Sequence, residues 1–113
     1  MANTRVLTLA ATVRADGRPH LSPTDFVAVN GVFYLGIDEA TARYRNLNQN
    51  PAVTVMLVDD SKRQAILDGD AKFLDMNSGM AKKVLEAQKK KYGWVTDALA
   101  EFQPLKAFTW KAK

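Results

Sequence analysis

Thr41, Arg43, Arg45 and Asn46 are the residues whose types and spacing come nearest to a chemical site. A hydroxyl and a guanidinium two positions apart, at the start of a short helix whose first backbone N–H groups lack partners, can clamp a phosphate. Guanidinium is a planar fork that gives two bonds to one phosphate, whereas lysine acts as a point charge. The competing reading is two arginines on a solvated helix face. Other constellations say less. His20, in GRPHLSP, suits a proton donor or an ordinary strand histidine. Lys89, Lys90 and Lys91 could attract nucleic acid or an acidic coenzyme tail, and equally form the wet side of an amphipathic helix. Asp68-Gly69-Asp70 is too short for a calcium loop, because the spaced ligands and terminal Glu do not follow. Tyr34, Tyr44, Phe73, Phe108 and Trp110 fall at strand or helix spacing and read as core before they read as a stacking platform.

Composition narrows the chemistry further. The 113 residues contain no Cys and one His, which removes disulfides, thiolate metal sites, cysteine nucleophiles and multi-imidazole sites together. No metal is expected, and no side chain stands out as catalytic. With 47% apolar and 25% charged residues, the chain has the composition of one folded domain spanning residues 1–113. The formal charge is +4, and its distribution is uneven: all five basic residues up to Val58 are Arg, while ten of the eleven beyond it are Lys. A specific anion site is therefore expected in the first two thirds of the chain. No stretch approaches the roughly 18 apolar residues of a membrane span, so no membrane partner and a cytoplasmic location are expected.

The elements that must position these residues follow from patterning. Arg5 to Ala15 alternates and predicts a first strand, with Asp16-Gly17 turning and Pro19 opening a second, His20 to Val29. Pro23 lacks a donor in mid-strand and marks an edge, a bulge or a gap where something approaches. Asn30-Gly31 is a type I′ hairpin signal before a return strand, Val32 to Ile37. Glu39 to Gln49 predicts a short helix capped by Asp38 and ended by Asn50-Pro51. Ala52 to Val58 is apolar enough for a strand covered on both faces, Asp59-Asp60-Ser61 turns, and Gln64 to Leu74 forms another strand with a bulge at Gly69. Asn77 or Ser78 caps a helix to about Tyr92, which Gly93 ends; Met80, Ala81, Val84, Leu85, Ala87 and Tyr92 make its apolar face. A further short helix, Thr96 to Phe102, and a last strand, Leu105 to Lys111, complete the reading. These elements predict a mainly β fold with accessory helices, an antiparallel meander closing into a barrel.

The order of the motifs carries a resemblance. ATVRADGRPHLSP, the Asn-Gly hairpin into VFYLGI, then TARYRNLNQNPAVTVMLV and RQAILDGDAKFL together resemble the flavin-binding split-barrel family, which includes the pyridoxamine 5′-phosphate oxidases and their short relatives. The likeness covers about Leu7 to Leu74 and, more weakly, Lys90 to Trp110; its most specific piece is T-x-R-x-R-N-L-x-x-N-P. It implies a six-stranded antiparallel split β-barrel of the FMN-binding type. It also implies a homodimer with the cofactor between subunits, Trp94 or Trp110 of the partner bordering the ring. Thr41 and Arg43 stand where the family has its phosphate-binding Ser and Lys. Gln64 matches a glutamine that hydrogen-bonds the flavin. Ser22, Pro23, Thr24 and Asp25 lie where the backbone runs beside the ring, and Leu35 and Gly36 lie beside the ribityl chain. The oxidases carry an arginine at about Ser22 and a C-terminal substrate-binding arginine segment, whereas these residues finish on TWKAK; the implied activity is therefore not pyridoxamine phosphate oxidation itself.

The expectation is an FMN-dependent oxidoreductase or flavin reductase, with a small-molecule substrate and NAD(P)H among the candidate donors. In such a protein the cofactor supplies the hydride chemistry and the chain supplies binding and orientation. A deazaflavin coenzyme in the same pocket is the alternative, followed by a flavin- or haem-binding module without turnover. A basic nucleic-acid-binding barrel ranks last, because the lysines gather on a helix and the strands lack alternating basic and aromatic residues.

Overall fold

The computed structural model describes residues 7–59 and 63–111. Seven strands and two helices follow in the order β1 (Leu7–Val13), β2 (Pro19–Pro23), β3 (Asp25–Val29), β4 (Val32–Ile37), α1 (Ala42–Gln49), β5 (Ala52–Val58), β6 (Arg63–Phe73), α2 (Gly79–Tyr92) and β7 (Ala98–Lys111). All strands join one sheet in the order β2-β1-β5-β6-β7-β4-β3, every neighbouring pair antiparallel. The two outermost strands, β2 and β3, are consecutive in the chain and separated only by Thr24. The sheet must therefore curl until its edges meet at that residue, which makes it a barrel closed at one seam. Thr24 bridges the seam: its N–H donates to Thr8 O on β1 (3.1 Å) and its hydroxyl to Gly36 O on β4 (3.4 Å).

This corrects the sequence reading in two places. The single strand His20 to Val29 is two, so the barrel has seven strands rather than six. Thr96 to Phe102 is not a helix, because residues from Ala98 onward pair with β4 on one side and β6 on the other. Helix-forming Ala, Leu and Glu yield there to two ladders of hydrogen bonds and to burial of Ala98, Leu99, Ala100 and Phe102. Pro104, which reads as a terminator, lies beyond the stretch that β4 covers. It sits opposite Gly69, where the register slips after Asp68. The expected bulge is there, and a Cβ at Gly69 would run into the Gln103 carbonyl.

Most turn and cap signals hold. Asn30 and Gly31 take positive φ (53° and 78°), as a type I′ turn requires. Ser78 caps α2 by accepting from Ala81 N, and Gly93 ends it in the left-handed region. The cap of α1 is Thr41 rather than Asp38, and the helix starts correspondingly later. Asp60, Ser61 and the start of the expected first strand lie outside the described residues.

Both sheet edges are protected. Arg14 N–H bonds Arg18 O and Thr24 N–H bonds Thr8 O, so by antiparallel alternation the N–H groups of residues 19, 21 and 23 point away from β1. Two of those positions are Pro19 and Pro23, which have no N–H to offer another strand. On β3, the Phe26 N–H donates to the Tyr92 hydroxyl (2.9 Å), and Lys91 Nζ donates to the Phe26 carbonyl. The barrel interior is filled by Phe26, Leu35, Ile37, Val55 and Phe102, while α2 covers Val27, Tyr34 and Leu99 on the outer face through Ala81 and Val84. β5 is not covered on both faces: its residues alternate between buried and half-buried.

Candidate functional site

A cleft of about 510 Å³ opens at the Thr24 seam, within the roughly 300–1,000 Å³ range of cofactor and small-molecule sites. The seam itself supplies Thr8, Pro23, Thr24, Asp25 and Gly36; Asp38, Arg43, Tyr92, Trp94 and Thr96 come from the connections and helix ends around it. Residues nearly ninety positions apart meet here because Thr24 lies where both sheet edges, the start of α1 and the end of α2 converge.

Arg43 is the cleft's specific cation. Thr41 fixes the first turn of α1, donating to Asp38 O (2.7 Å) and accepting from Tyr44 N (3.3 Å), and Arg43 reaches from that turn to β2. One terminal nitrogen donates to Ser22 Oγ (3.0 Å) and to the Pro23 carbonyl. Its Nε is buried with no hydrogen-bond partner, and so is Thr8 Oγ1. Burial pulls the guanidinium below its ordinary pKa, with Asp25 and Asp38 pulling the other way; it stays charged, as guanidinium does in proteins.

On the opposite side the cleft is held by a polar cluster. Asp25 Oδ2 accepts from Gln88 Nε2 (2.8 Å) and Trp94 Nε1 (2.7 Å). Gln88 is only 1% exposed, and its other amide atom accepts from Thr96 N (3.2 Å), which fixes which end of the amide faces Asp25. Gly36 makes room for it, since a Cβ there would collide with Gln88 Nε2. Trp94 is 53% exposed and stacks on Tyr92, with centroids 5.4 Å apart and ring planes at 27°.

Of the residues singled out from sequence, the structure brings Pro23, Thr24, Asp25, Gly36 and Arg43 together on the cleft wall, with Ser22 supporting Arg43. It does not bring three others there. Leu35 points into the barrel core, the Thr41 hydroxyl serves the cap, and Gln64 sits at the start of β6, paired with Val58 and Trp110. Trp94 borders the cleft of its own chain; the Trp110 side chain lies outside what is described. Thr8, Asp38, Thr96 and the buried Gln88 escaped the sequence reading. Gln88 left a signal, a polar residue on the stripe Ala81, Val84, Leu85, Tyr92 that faces the sheet.

Among the described residues no group of three or more His, Asp or Glu is placed to hold a metal, and no helix is long and apolar enough to cross a membrane. The arrangement suits a hydrogen-bonding organic ligand with an anionic end: Arg43 supplies one cation on the cleft wall, and Asp25 and Asp38 supply acceptors elsewhere on it.

Comparison with known proteins agrees with the architecture. The chain is 26% identical over 106 residues to heme oxygenase HutZ of Vibrio cholerae, with 87% of this chain covered, and it spans 60% of that protein's length. Among solved structures, the heme storage protein HutZ of Vibrio cholerae superposes with a TM-score of 0.78 at 24% identity, covering 90% of this chain and 84% of the other. An F420 reductase gives 0.75 at 18%, covering 95% and 92%. HupZ of Group A Streptococcus gives 0.79 at 16%, covering 95% and 86%. At these identities the superpositions show the fold alone. A family profile described as pyridoxamine 5′-phosphate oxidase matches residues 2–112, and the chain therefore belongs to the pyridoxamine 5′-phosphate oxidase family.

Proposed function

We propose that the seam cleft binds a flavin through its phosphate, with FMN the preferred form, and that the protein is a flavin-dependent oxidoreductase or flavin reductase. One observation carries the reading: Arg43 lines the cleft, and its guanidinium is fixed there through one terminal nitrogen by Ser22 and the Pro23 carbonyl. A permanent cation held in place on a cleft wall, with donors left over on its planar fork, matches a phosphate. Thr8 and Thr24 line the same cleft and leave its seam wall to the polyol chain. The flavin supplies hydride transfer; the chain's own part is to hold and orient it and to admit a substrate past Trp94.

A second copy of the chain completes the proposal. The outward face of β1, β5 and β6 carries Leu9, Met56 and Ile66 in one registered row, half-buried in the single chain. Leu21 beside it on β2 is 65% exposed. Pairing two such faces would cover them and would place Gln64, on the same face, against the other subunit. A homodimer is the economical way for a domain of this size to cover that surface.

The test is Arg43→Ala. Loss of a charge-assisted contact costs about 1.5–3 kcal/mol, so FMN affinity should fall roughly tenfold to a hundredfold while riboflavin affinity, which involves no phosphate, holds. Equal losses for both ligands would refute the phosphate assignment. Haem is the second reading, favoured by the likeness to heme oxygenase HutZ. Against it, no His lines the cleft among the described residues, and His20 lies outside its wall.

A further inference from the structure

We infer that Asp25 is the specificity-determining residue of the cleft, selecting ligands whose ring presents an imide N–H, and so flavin-type rings over haem. This rests on the flavin reading above and assigns its ring-recognition contact. The carboxylate has two oxygens with different duties. Oδ2 takes both protein donors, Gln88 Nε2 and Trp94 Nε1, while Asp25 lines the cleft and, among the described residues, no protein donor bonds Oδ1. The side chain cannot swing, because Gln88 is buried and locked by Thr96, and Gly36 is kept free of a Cβ so that the amide fits.

A carboxylate held on one oxygen by two protein donors presents the other to the cleft's occupant, and a ligand that displaces water from it without supplying a donor leaves it unpaired at a cost. The isoalloxazine ring offers one N–H, between two carbonyls; a deazaflavin ring shares it. An iron-bound porphyrin has no ring N–H to offer. A site built to accept a hydrogen bond rejects an analogue that lacks the donor more strongly than apolar contacts can.

The experiment removes the contact from each side. FMN, its N3-methylated analogue and a 5-deazaflavin phosphate are titrated into the wild type and into Asp25→Asn and Asp25→Leu, following ligand fluorescence, with melting temperature as the folding control. In Asp25→Asn the amide oxygen can still serve Gln88 and Trp94, leaving an NH₂ where the acceptor stood. The wild type should bind FMN roughly tenfold or more tighter than N3-methyl-FMN. In Asp25→Asn and Asp25→Leu that ratio should fall to near one. A purely structural Asp25 would lower both affinities together, so an unchanged ratio in the variants overturns the inference while leaving the flavin reading in place. A wild type that binds the methylated ligand as well as FMN overturns it likewise. A wild type that binds neither FMN nor the deazaflavin overturns the flavin reading itself, and the two phosphates compared in the wild type distinguish flavin from deazaflavin.

Discussion

Gly36→Ala tests whether the cleft wall is built as described. Gly36 has no positive φ, so its backbone would accept alanine without strain; the requirement is one of space. The new Cβ would meet Gln88 Nε2 and lie 2.9 Å from Thr96 Oγ1. Neither can retreat easily, because Gln88 is 1% exposed and bonded to Asp25 and Thr96. Overpacking of this kind costs about 1–3 kcal/mol, and pushing the amide off Asp25 removes a charge-assisted bond that contributes about 1.5–3 kcal/mol. With partial relaxation the sum is about 2–5 kcal/mol, a large share of the roughly 5–15 kcal/mol that holds a small domain together. At about 4 °C per kcal/mol for a domain of this length, Tm should drop by roughly 8–20 °C in a circular-dichroism melt. Repeating the substitution on a Gln88→Ala background isolates the clash with the amide: with it gone, only the Thr96 Oγ1 contact remains, and the added methyl should cost at least about 1 kcal/mol less than in the wild-type background. A Gly36→Ala protein that melts with the wild type, or the same cost in both backgrounds, would refute the packing argument.

Two other outcomes follow from the same geometry. Burial holds Lys91 below its ordinary pKa, with Asp25 partly opposing, and burial, then Glu101, raises Tyr34. The unfolded chain keeps the Lys91 proton longer, so stability on its account should rise with pH just below the ordinary lysine value. The unfolded chain loses the Tyr34 proton first, so stability on its account is full below the ordinary tyrosine value and is lost above it. Urea midpoints between about pH 9 and 11 should lose the rise in Lys91→Met and the fall in Tyr34→Phe; slopes identical to wild type would contradict the assignments. For the proposed homodimer, the wild type should sediment as a dimer, and Met56→Lys, which places a charge in the Leu9–Met56–Ile66 row, should sediment as a monomer with little change in Tm of the isolated chain. A dimer that survives the substitution would place the interface elsewhere.

How far the sequence could be read depended on the range of the interaction concerned. The Asn30-Gly31 turn, the cap expected at Asn77 or Ser78 and found at Ser78, and the Gly93 stop are set by neighbours in sequence, and they appear as expected; which side of β1 faces inward is set by the whole barrel, and it is Thr8, Ala10 and Thr12 rather than the Leu9 and Ala11 side. Residues 98–102 failed because local helix propensity was outweighed by ladders to β4 and β6, strands many residues away. Pro23 was legible as an irregularity, but its meaning needed the topology: it blunts a sheet edge and its carbonyl holds Arg43. The cleft divides in the same way. Its near half, from Pro23 to Arg43, lies in contiguous motif-bearing segments. Its far half, Gln88 to Thr96, comes from a helix whose exposed lysines dominate the pattern, and only the folded seam brings it to Asp25.

The central claim is that the seam cleft is a flavin site. The most direct measurement is the visible absorption spectrum of freshly purified wild-type protein, before and after addition of FMN and of haemin, with mass analysis of whatever acid releases. The account predicts the two-banded spectrum of an oxidised flavin, either copurified or restored by FMN in one equivalent per chain, with FMN in the released fraction. A protein that takes up no FMN, or that shows instead the single intense band of a bound haem, would contradict it.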